Sequence, residues 1–132
     1  DLIEFIQGEL GAIGMNVKVD VSPSASLRDM MSKNEVNFFR GSWIADYPDG
    51  ENYLSVFYSK NRVPFGPNYT GYFNDEFDRL FEQSYYESDD QKRFELYQKM
   101  DNMVMEHASV VPILYDQSVV MLQNNISGYQ IS

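Results

Sequence analysis

Three carboxylates that could do chemistry lie close together in the sequence. Asp46, Asp49 and Glu51 fall within six residues, and the only histidine, His107, lies far from them. Paired carboxylates can hydrolyse a substrate when they flank its scissile bond, and carboxylate oxygens can bind calcium. Here they share one turn, without a nucleophile–base pair and without the alternating spacing of an EF-hand loop. We therefore expect no catalytic residue and no metal-binding residue, and we keep a carboxylate-based hydrolase as the alternative from another functional class.

Asp46 is the carboxylate best placed for a ligand. It follows the apolar residues 43–45, at the end of a predicted strand, and ligands of α/β sheets bind beyond the carboxyl ends of the strands. An aspartate here can equally cap the following turn, so both interpretations stay open. Asp49 and Glu51 suit the first turn of a short helix, and His107 suits a helix C-terminus, because each complements the helix dipole.

The composition excludes several functional classes. The 132 residues carry a net charge of −10, no cysteine and 43% hydrophobic residues. This length and hydrophobic share indicate one compact core, and the lack of cysteine excludes thiolate nucleophiles, iron–sulfur clusters and cysteine–zinc sites. The acidity disfavours nucleic acid and anionic membranes as partners, and no apolar run reaches the ~20 residues that span a bilayer. Cationic or amine-bearing ligands fit better, and no cofactor is expected.

Acidic and aromatic residues are distributed unevenly. Residues 74–106 hold ten acids and four bases, interleaved with apolar positions as on a solvated helix face. Fifteen of the twenty aromatic residues fall within 38–86, where Gly, Pro and Asn interrupt regular structure. Aromatic residues in loops often line a ligand-binding site. We therefore expect some of these fifteen residues on the wall of a cleft and the others in the core.

Hydrophobic periodicity predicts alternating helices and strands. The predicted helices occupy residues 2–13, 26–31, 51–58, 75–85 and 89–108. The predicted strands occupy residues 17–21, 36–44, 110–115 and 119–122. Gly14 is expected to end the first helix, Asn74 to cap the fourth, and Ser88 to cap the fifth in a capping box with Gln91. This order predicts an α/β fold.

Seven short blocks of sequence extend along nearly the whole chain. They are Ile6–Gln7 with Leu10, Ile13–Val19, Trp43–Asp49 with Asn52 and Leu54, Gly71–Tyr72 with Asn74, Phe77–Asp78, Arg93 with Tyr97, and Pro112–Tyr115, and Gly128 completes the pattern. In this order and approximate spacing they resemble the peptide/oligopeptide-binding family (family 5) of extracytoplasmic solute-binding proteins, the receptors of ABC importers. Gly50 departs from the family, which often has proline there, and the departure leaves the loop less rigid.

The resemblance implies a much longer, two-lobed receptor that closes on its ligand. Residues 1–132 would be a fragment of the C-terminal lobe, without the N-terminal lobe, and would form an α/β lobe of periplasmic-binding-protein type II with a mixed sheet flanked by helices. The parent would be a periplasmic protein or a cell-surface lipoprotein. It would be no enzyme, and it would deliver a peptide or another small solute to a permease.

The resemblance also implies the ligand-binding residues Ser42, Trp43, Ile44 and Asp46. The aspartate that matches Asp46 pairs with the α-ammonium group of a bound peptide, and the strand before it offers backbone N–H and C=O groups to the peptide main chain. Trp43 would form a wall of a side-chain pocket. A carboxylate and strand-type pairing would recognise peptides without reading their side chains.

Two further alternatives concern the ligand. An oligosaccharide- or other small-solute-binding member of the same family would use the many loop tyrosines, which suit sugar faces. Alternatively, the 132 residues bind nothing by themselves, because half a cleft buries little of a ligand's surface. Their exposed apolar surfaces are then expected to favour self-association.

Overall fold

The computed structural model describes residues 1–115 and 119–128, and its regular structure is helical. The helices are α1 (Leu2–Ala12), α2 (Ser24–Ser32), α3 (Glu51–Leu54), α4 (Asp75–Ser84) and α5 (Asp90–His107). Two 3₁₀ turns, Ser55–Phe57 and Ser59–Asn61, follow α3. None of the described helices is both long enough and apolar enough to cross a membrane.

The predicted α/β fold with a mixed sheet flanked by helices is wrong. Within the described residues the only β-type pairing is an isolated bridge between Arg62 and Asn68. The segments 17–21, 36–44, 110–115 and 119–122 contain no strand. Alternating side chains determine which face a strand would bury, but a strand forms only where a neighbour pairs its N–H and C=O groups. The described residues supply no such neighbour.

The predicted helices are confirmed, with changes at their ends. Gly14 adopts a positive φ of 86° just after α1, as expected of a residue that ends a helix. The Asn74 side chain accepts the N–H groups of Glu76 and Phe77 and caps α4, as predicted. The predicted cap of α5 is wrong, because Asp89 rather than Ser88 accepts a backbone N–H of the first turn.

The core lies where α3, the turn after it, α4 and α5 meet. Its members are the buried residues Leu54, Phe57, Tyr72, Phe77, Leu80, Phe81, Leu96, Tyr97, Met100 and Val104. The rings of Phe77 and Phe81 stack with centroids 6.2 Å apart, and neither side chain is accessible to water. Phe94, predicted to lie on the buried face of α5, is 60% exposed, and Leu96 takes its place in the core.

The first part of the chain contributes almost nothing to this core. Helix α1 has no buried residue, and Met31 of α2 is the only buried residue before Glu51. Val21, which was expected to face a sheet, is 89% exposed. Among the described residues, the packed part of the molecule therefore begins at α3.

Candidate functional site

The four predicted ligand-binding residues lie in a largely exposed segment, residues 42–46, which we call the binding segment. It has no regular secondary structure, and its Ile44 side chain is 84% exposed. The backbone groups of Ser42, Trp43 and Ile44 make no hydrogen bond to any other residue in the described ranges. The binding segment therefore offers unpaired N–H and C=O groups to solvent.

The structure places Asp46 at the end of the binding segment, with its side chain exposed. Among the described residues, no hydrogen-bond donor and no cation contacts its carboxylate. The interpretation of Asp46 as a turn cap is therefore wrong for its side chain. Asp49 takes that role, because its Oδ1 accepts the N–H of Glu51 at 2.9 Å, as expected for an acid at a helix start.

One buried amide, which the sequence reasoning gave no role, connects the binding segment to α3. Asn52 is only 4% exposed. Its Oδ1 accepts the indole N–H of Trp43 at 2.8 Å and the backbone N–H of Asp46 at 3.3 Å. The available signal was its place beside the Trp43–Asp49 block in the resemblance to the family. Asn52 thereby brings two of the four predicted residues to one point.

A second cluster lies beside Asn52, and we call it the tyrosine–carboxylate cluster. It consists of Tyr47, Asp49, Glu51, Tyr85 and Tyr97. Glu51 is only 7% exposed and accepts the hydroxyls of Tyr47 and Tyr85, the latter at 2.7 Å. Sequence reasoning missed this burial, because an acid in the first turn of a short helix is usually solvated. With two hydroxyl donors, the Glu51 carboxylate can lie inside the protein.

A cavity of about 260 Å³ lies within the tyrosine–carboxylate cluster. The residues that line it are Tyr47, Asp49, Glu51, Ser84, Tyr85, Arg93 and Tyr97. Its polar groups largely contact one another, since Arg93 also pairs with Asp49 at 3.3 Å. The cluster therefore connects α3 to the end of α4 and to α5.

The pKa values of this cluster agree with that role. Burial and the adjacent Asp49 carboxylate raise the pKa of Tyr97 to about 12. Burial and the hydrogen bond to Glu51 also raise the pKa of Tyr85. Burial opposes ionisation of Asp49, but the Glu51 N–H, Tyr97 and Arg93 outweigh it and lower the pKa of that carboxyl. The tyrosines are therefore neutral donors and Asp49 is an anion at neutral pH.

The remaining titratable candidate lies at the other end of α5. His107 is the last residue of that helix, as predicted, and its Nδ1 lies 2.7 Å from the Ser109 hydroxyl. Its ring meets the Tyr72 ring edge-on with centroids 5.1 Å apart. In residues 1–115 and 119–128, no three His, Cys, Asp or Glu side chains converge as metal ligands would.

Comparisons with known proteins identify relatives along the whole chain. Residues 1–65 match the model for the middle part of the bacterial extracellular solute-binding proteins of family 5. A Haemophilus influenzae protein with only a general binding-protein name is 34% identical over 106 residues, 80% of this chain and 20% of its own length. The oligopeptide-binding protein OppA of Bacillus subtilis is 31% identical over 116 residues, 88% of this chain and 21% of its own length. The dipeptide-binding protein DppE of the same organism is 26% identical over 129 residues, 96% of this chain and 23% of its own length.

The chain thus spans about a fifth of the length of these relatives. The binding segment with Asp46 lies inside the matched region, residues 1–65. The relatives are named as binding proteins and not as enzymes. The chain belongs to family 5 of the bacterial extracellular solute-binding proteins.

Proposed function

We propose that this chain supplies part of the ligand-binding cleft of a peptide receptor, with Asp46 pairing with the amino terminus of the bound peptide. The observation that carries the proposal is the exposed Asp46 carboxylate, which has no partner among the described residues. Two of the relatives are named for the oligopeptides or dipeptides that they bind. The α-ammonium group of a peptide is a cation that would donate hydrogen bonds to such a carboxylate.

The chemistry of this pairing is favourable. A hydrogen bond between a carboxylate and an ammonium group is charge-assisted and contributes roughly 1.5 to 3 kcal/mol. A cleft that closes over the pair lowers the local dielectric and strengthens the attraction. Because every unmodified peptide has an α-ammonium group, Asp46 would select for a free amino terminus and not for a particular side chain.

The rest of the binding segment would contact the peptide main chain. The unpaired N–H and C=O groups of Ser42, Trp43 and Ile44 match the alternating donors and acceptors of an extended peptide. Trp43 would border a side-chain pocket, where its large ring adds apolar contact area without requiring one particular partner. Together these contacts would bind peptides of varied sequence.

The whole protein would act as the receptor of an importer. We infer that residues 1–132 belong to the C-terminal lobe of a two-lobed, extracytoplasmic protein that hands its ligand to a permease. The relatives' greater length supports this inference, because the chain covers only 20 to 23% of the relatives compared above. The lobe would bind without catalysing a reaction and without a cofactor.

Calorimetry on the complete protein that contains these residues tests the proposal. With trialanine as the probe, we expect Asp46→Asn to raise Kd roughly 10- to 150-fold, the loss of one charge-assisted hydrogen bond. Asp20→Asn, an exposed aspartate outside the binding segment, is the matched control and should leave Kd unchanged. N-acetylated trialanine should bind the wild type as weakly as trialanine binds Asp46→Asn. Equal binding of the acetylated and free peptides by the wild type would refute the amine pairing.

We also propose that the 132-residue chain by itself self-associates. Its exposed apolar side chains include Val21, Phe38 and Ile44, which are 89%, 73% and 84% exposed. Surfaces of this kind associate in water because association removes apolar area from solvent. Sedimentation velocity should show a mass that rises with concentration, and a constant monomer mass would contradict the proposal.

A further inference from the structure

The two functional groups of the binding segment share a single hydrogen-bond acceptor. Oδ1 of Asn52 accepts the Trp43 indole N–H at 2.8 Å and the Asp46 backbone N–H at 3.3 Å. An amide oxygen has two lone pairs and can accept both bonds. Apart from these two bonds, no hydrogen bond joins residues 42–46 to the rest of the described chain.

Asn52 is itself held firmly by the core. It lies in α3 between Glu51, which is buried in the tyrosine–carboxylate cluster, and Leu54, a member of the core. Its own backbone N–H donates to the Asp49 carbonyl at 3.2 Å, and its side chain is 4% exposed. The acceptor oxygen therefore has a fixed position, whereas the segment that it binds is exposed.

The two donors also determine the orientation of the Asn52 amide. The indole N–H of Trp43 and the backbone N–H of Asp46 can only donate, so the Asn52 atom that they share is the oxygen. The NH₂ group therefore points away from the binding segment. This assigns the orientation of the amide.

We propose that Asn52 is the positioning residue of the ligand site, a role that rests on the proposed function of Asp46. Its oxygen holds the pocket wall, Trp43, and the backbone of the amine-binding residue, Asp46, in one fixed arrangement. Because that arrangement exists before the ligand arrives, binding does not have to order the segment, and the affinity is higher. Asn52 itself need not touch the ligand.

Trp43 makes this arrangement observable, because it is the only tryptophan of the chain. Its indole is 37% exposed while its N–H is bonded to Asn52. In Asn52→Leu the bond is absent and the ring is free to enter water, so the emission of the 132-residue chain should shift to longer wavelength and acrylamide quenching should increase. Asn52→Asp retains an acceptor oxygen and should keep the wild-type emission.

A matched control perturbs α3 without removing the acceptor. The Ser55 hydroxyl donates to the backbone carbonyl of Asn52 at 2.8 Å. Ser55→Ala removes that bond and leaves Oδ1 in place, so its Trp43 emission should equal the wild type. Should Asn52→Leu fail to fold, Asn52→Gln replaces it, because one additional methylene moves the oxygen away from both donors.

Affinity for trialanine in the complete protein supplies the second measurement. We expect Asn52→Leu to raise Kd roughly 3- to 10-fold, the scale of one lost neutral hydrogen bond. A shift in Trp43 emission together with this loss of affinity supports the proposal. Unchanged Trp43 emission in Asn52→Leu overturns the proposal. A shifted emission in Asn52→Leu with an unchanged Kd for trialanine also overturns it, provided that Asp46→Asn binds trialanine weakly. If Asp46→Asn binds as the wild type does, the proposed function fails, and the positioning role fails with it.

Discussion

The region from Glu51 to His107 and the region before it differ in what holds them in place. Glu51–His107 contains every buried residue of the described chain except Met31. The preceding region contains two helices with almost no core contact and long segments without regular secondary structure. One region is held by packing, and the other presents unpaired groups to solvent.

This difference teaches how the candidate site is built. The chemical groups of the site, Asp46 and the backbone of the binding segment, belong to the exposed region. The group that holds them, Asn52, belongs to the packed region. Rigid elements commonly position functional groups on loops in this way. The boundary between the two regions is therefore where function is expected to be most sensitive to mutation.

The largest predicted contrast is between two phenylalanines. Phe81 has no accessible surface and Phe38 is 73% exposed. Phe81→Ala should lower the free energy of unfolding by about 3 to 5 kcal/mol because it leaves a cavity. Phe38→Ala should change it by less than about 0.5 kcal/mol. Urea denaturation of the 132-residue chain measures both, and equal losses would show that the two regions are not distinct.

The buried carboxylate provides the next effect. Glu51→Leu leaves the hydroxyls of Tyr47 and Tyr85 without their acceptor, so we expect it to destabilise the chain by about 1.5 to 3 kcal/mol. Glu95→Leu, at an exposed acid of α5, is the control and should change the stability by less than about 0.5 kcal/mol. Urea denaturation measures the free energy of unfolding of both variants. If Glu51→Leu left that free energy unchanged, the cluster would not hold α3 in place.

Alkaline pH should weaken the same cluster. Burial raises the pKa of Tyr97 to about 12, so the folded state binds a proton that the unfolded state releases near pH 10. The unfolded state therefore holds fewer protons in this window, and the free energy of unfolding falls as the pH rises. We expect a loss on the order of 1 kcal/mol between about pH 10 and 11.

Two variants separate Tyr97 from the other tyrosines in this experiment. Tyr97→Phe removes one titrating group and should reduce the dependence of stability on pH, while Tyr85, whose pKa is also raised, keeps its share of the loss. Tyr86→Phe, at a tyrosine that is 89% exposed, should retain the wild-type slope. If Tyr97→Phe shows the wild-type slope, Tyr97 does not cause the alkaline loss.

The smallest predicted effect on stability concerns Gly50, which directly precedes α3 at the boundary between the two regions. A Cβ at Gly50 would lie 3.2 Å from Cδ2 of Tyr97, whereas one at Gly41 would meet only an ordinary contact at 3.6 Å with Phe39. The backbone of Gly50, with φ −61°, suits any residue. Gly50→Ala should therefore cost at most about 1 kcal/mol and Gly41→Ala less than about 0.5 kcal/mol. Thermal unfolding would contradict this if Gly41→Ala were the more destabilising.

The sequence predicted the helices better than the rest of the fold. Helices α1, α2, α4 and α5 were predicted because an apolar stripe is a local signal, and the Asn74 cap of α4 is another. The sheet was wrongly predicted because a strand forms only where a neighbouring strand pairs its backbone groups. The alternation of apolar and polar residues in 17–21 contains no information about such a neighbour. Phe94 was misplaced because the face that α5 buries is determined by its contacts with α3 and α4.

The candidate site was predictable only in part. Resemblance to a family identified the binding segment, whereas Asp46 was also found at the end of a predicted strand. That strand is absent, and the structure shows the segment exposed. The role of Asn52 was missed because its bonds to Trp43 and Asp46 depend on the path of the chain through Tyr47–Asp49. The burial of Glu51 was missed because its second donor, Tyr85, lies far away in sequence and is brought near by packing.

The amine pairing of Asp46 is the central claim, and a calorimetric double-mutant cycle tests it most directly. The cycle crosses wild type and Asp46→Asn with trialanine and N-acetylated trialanine in the complete protein. We expect acetylation to weaken wild-type binding roughly 10- to 150-fold and to leave the binding of Asp46→Asn unchanged. An acetylation penalty of the same size in both proteins would show that Asp46 does not bind the peptide amine.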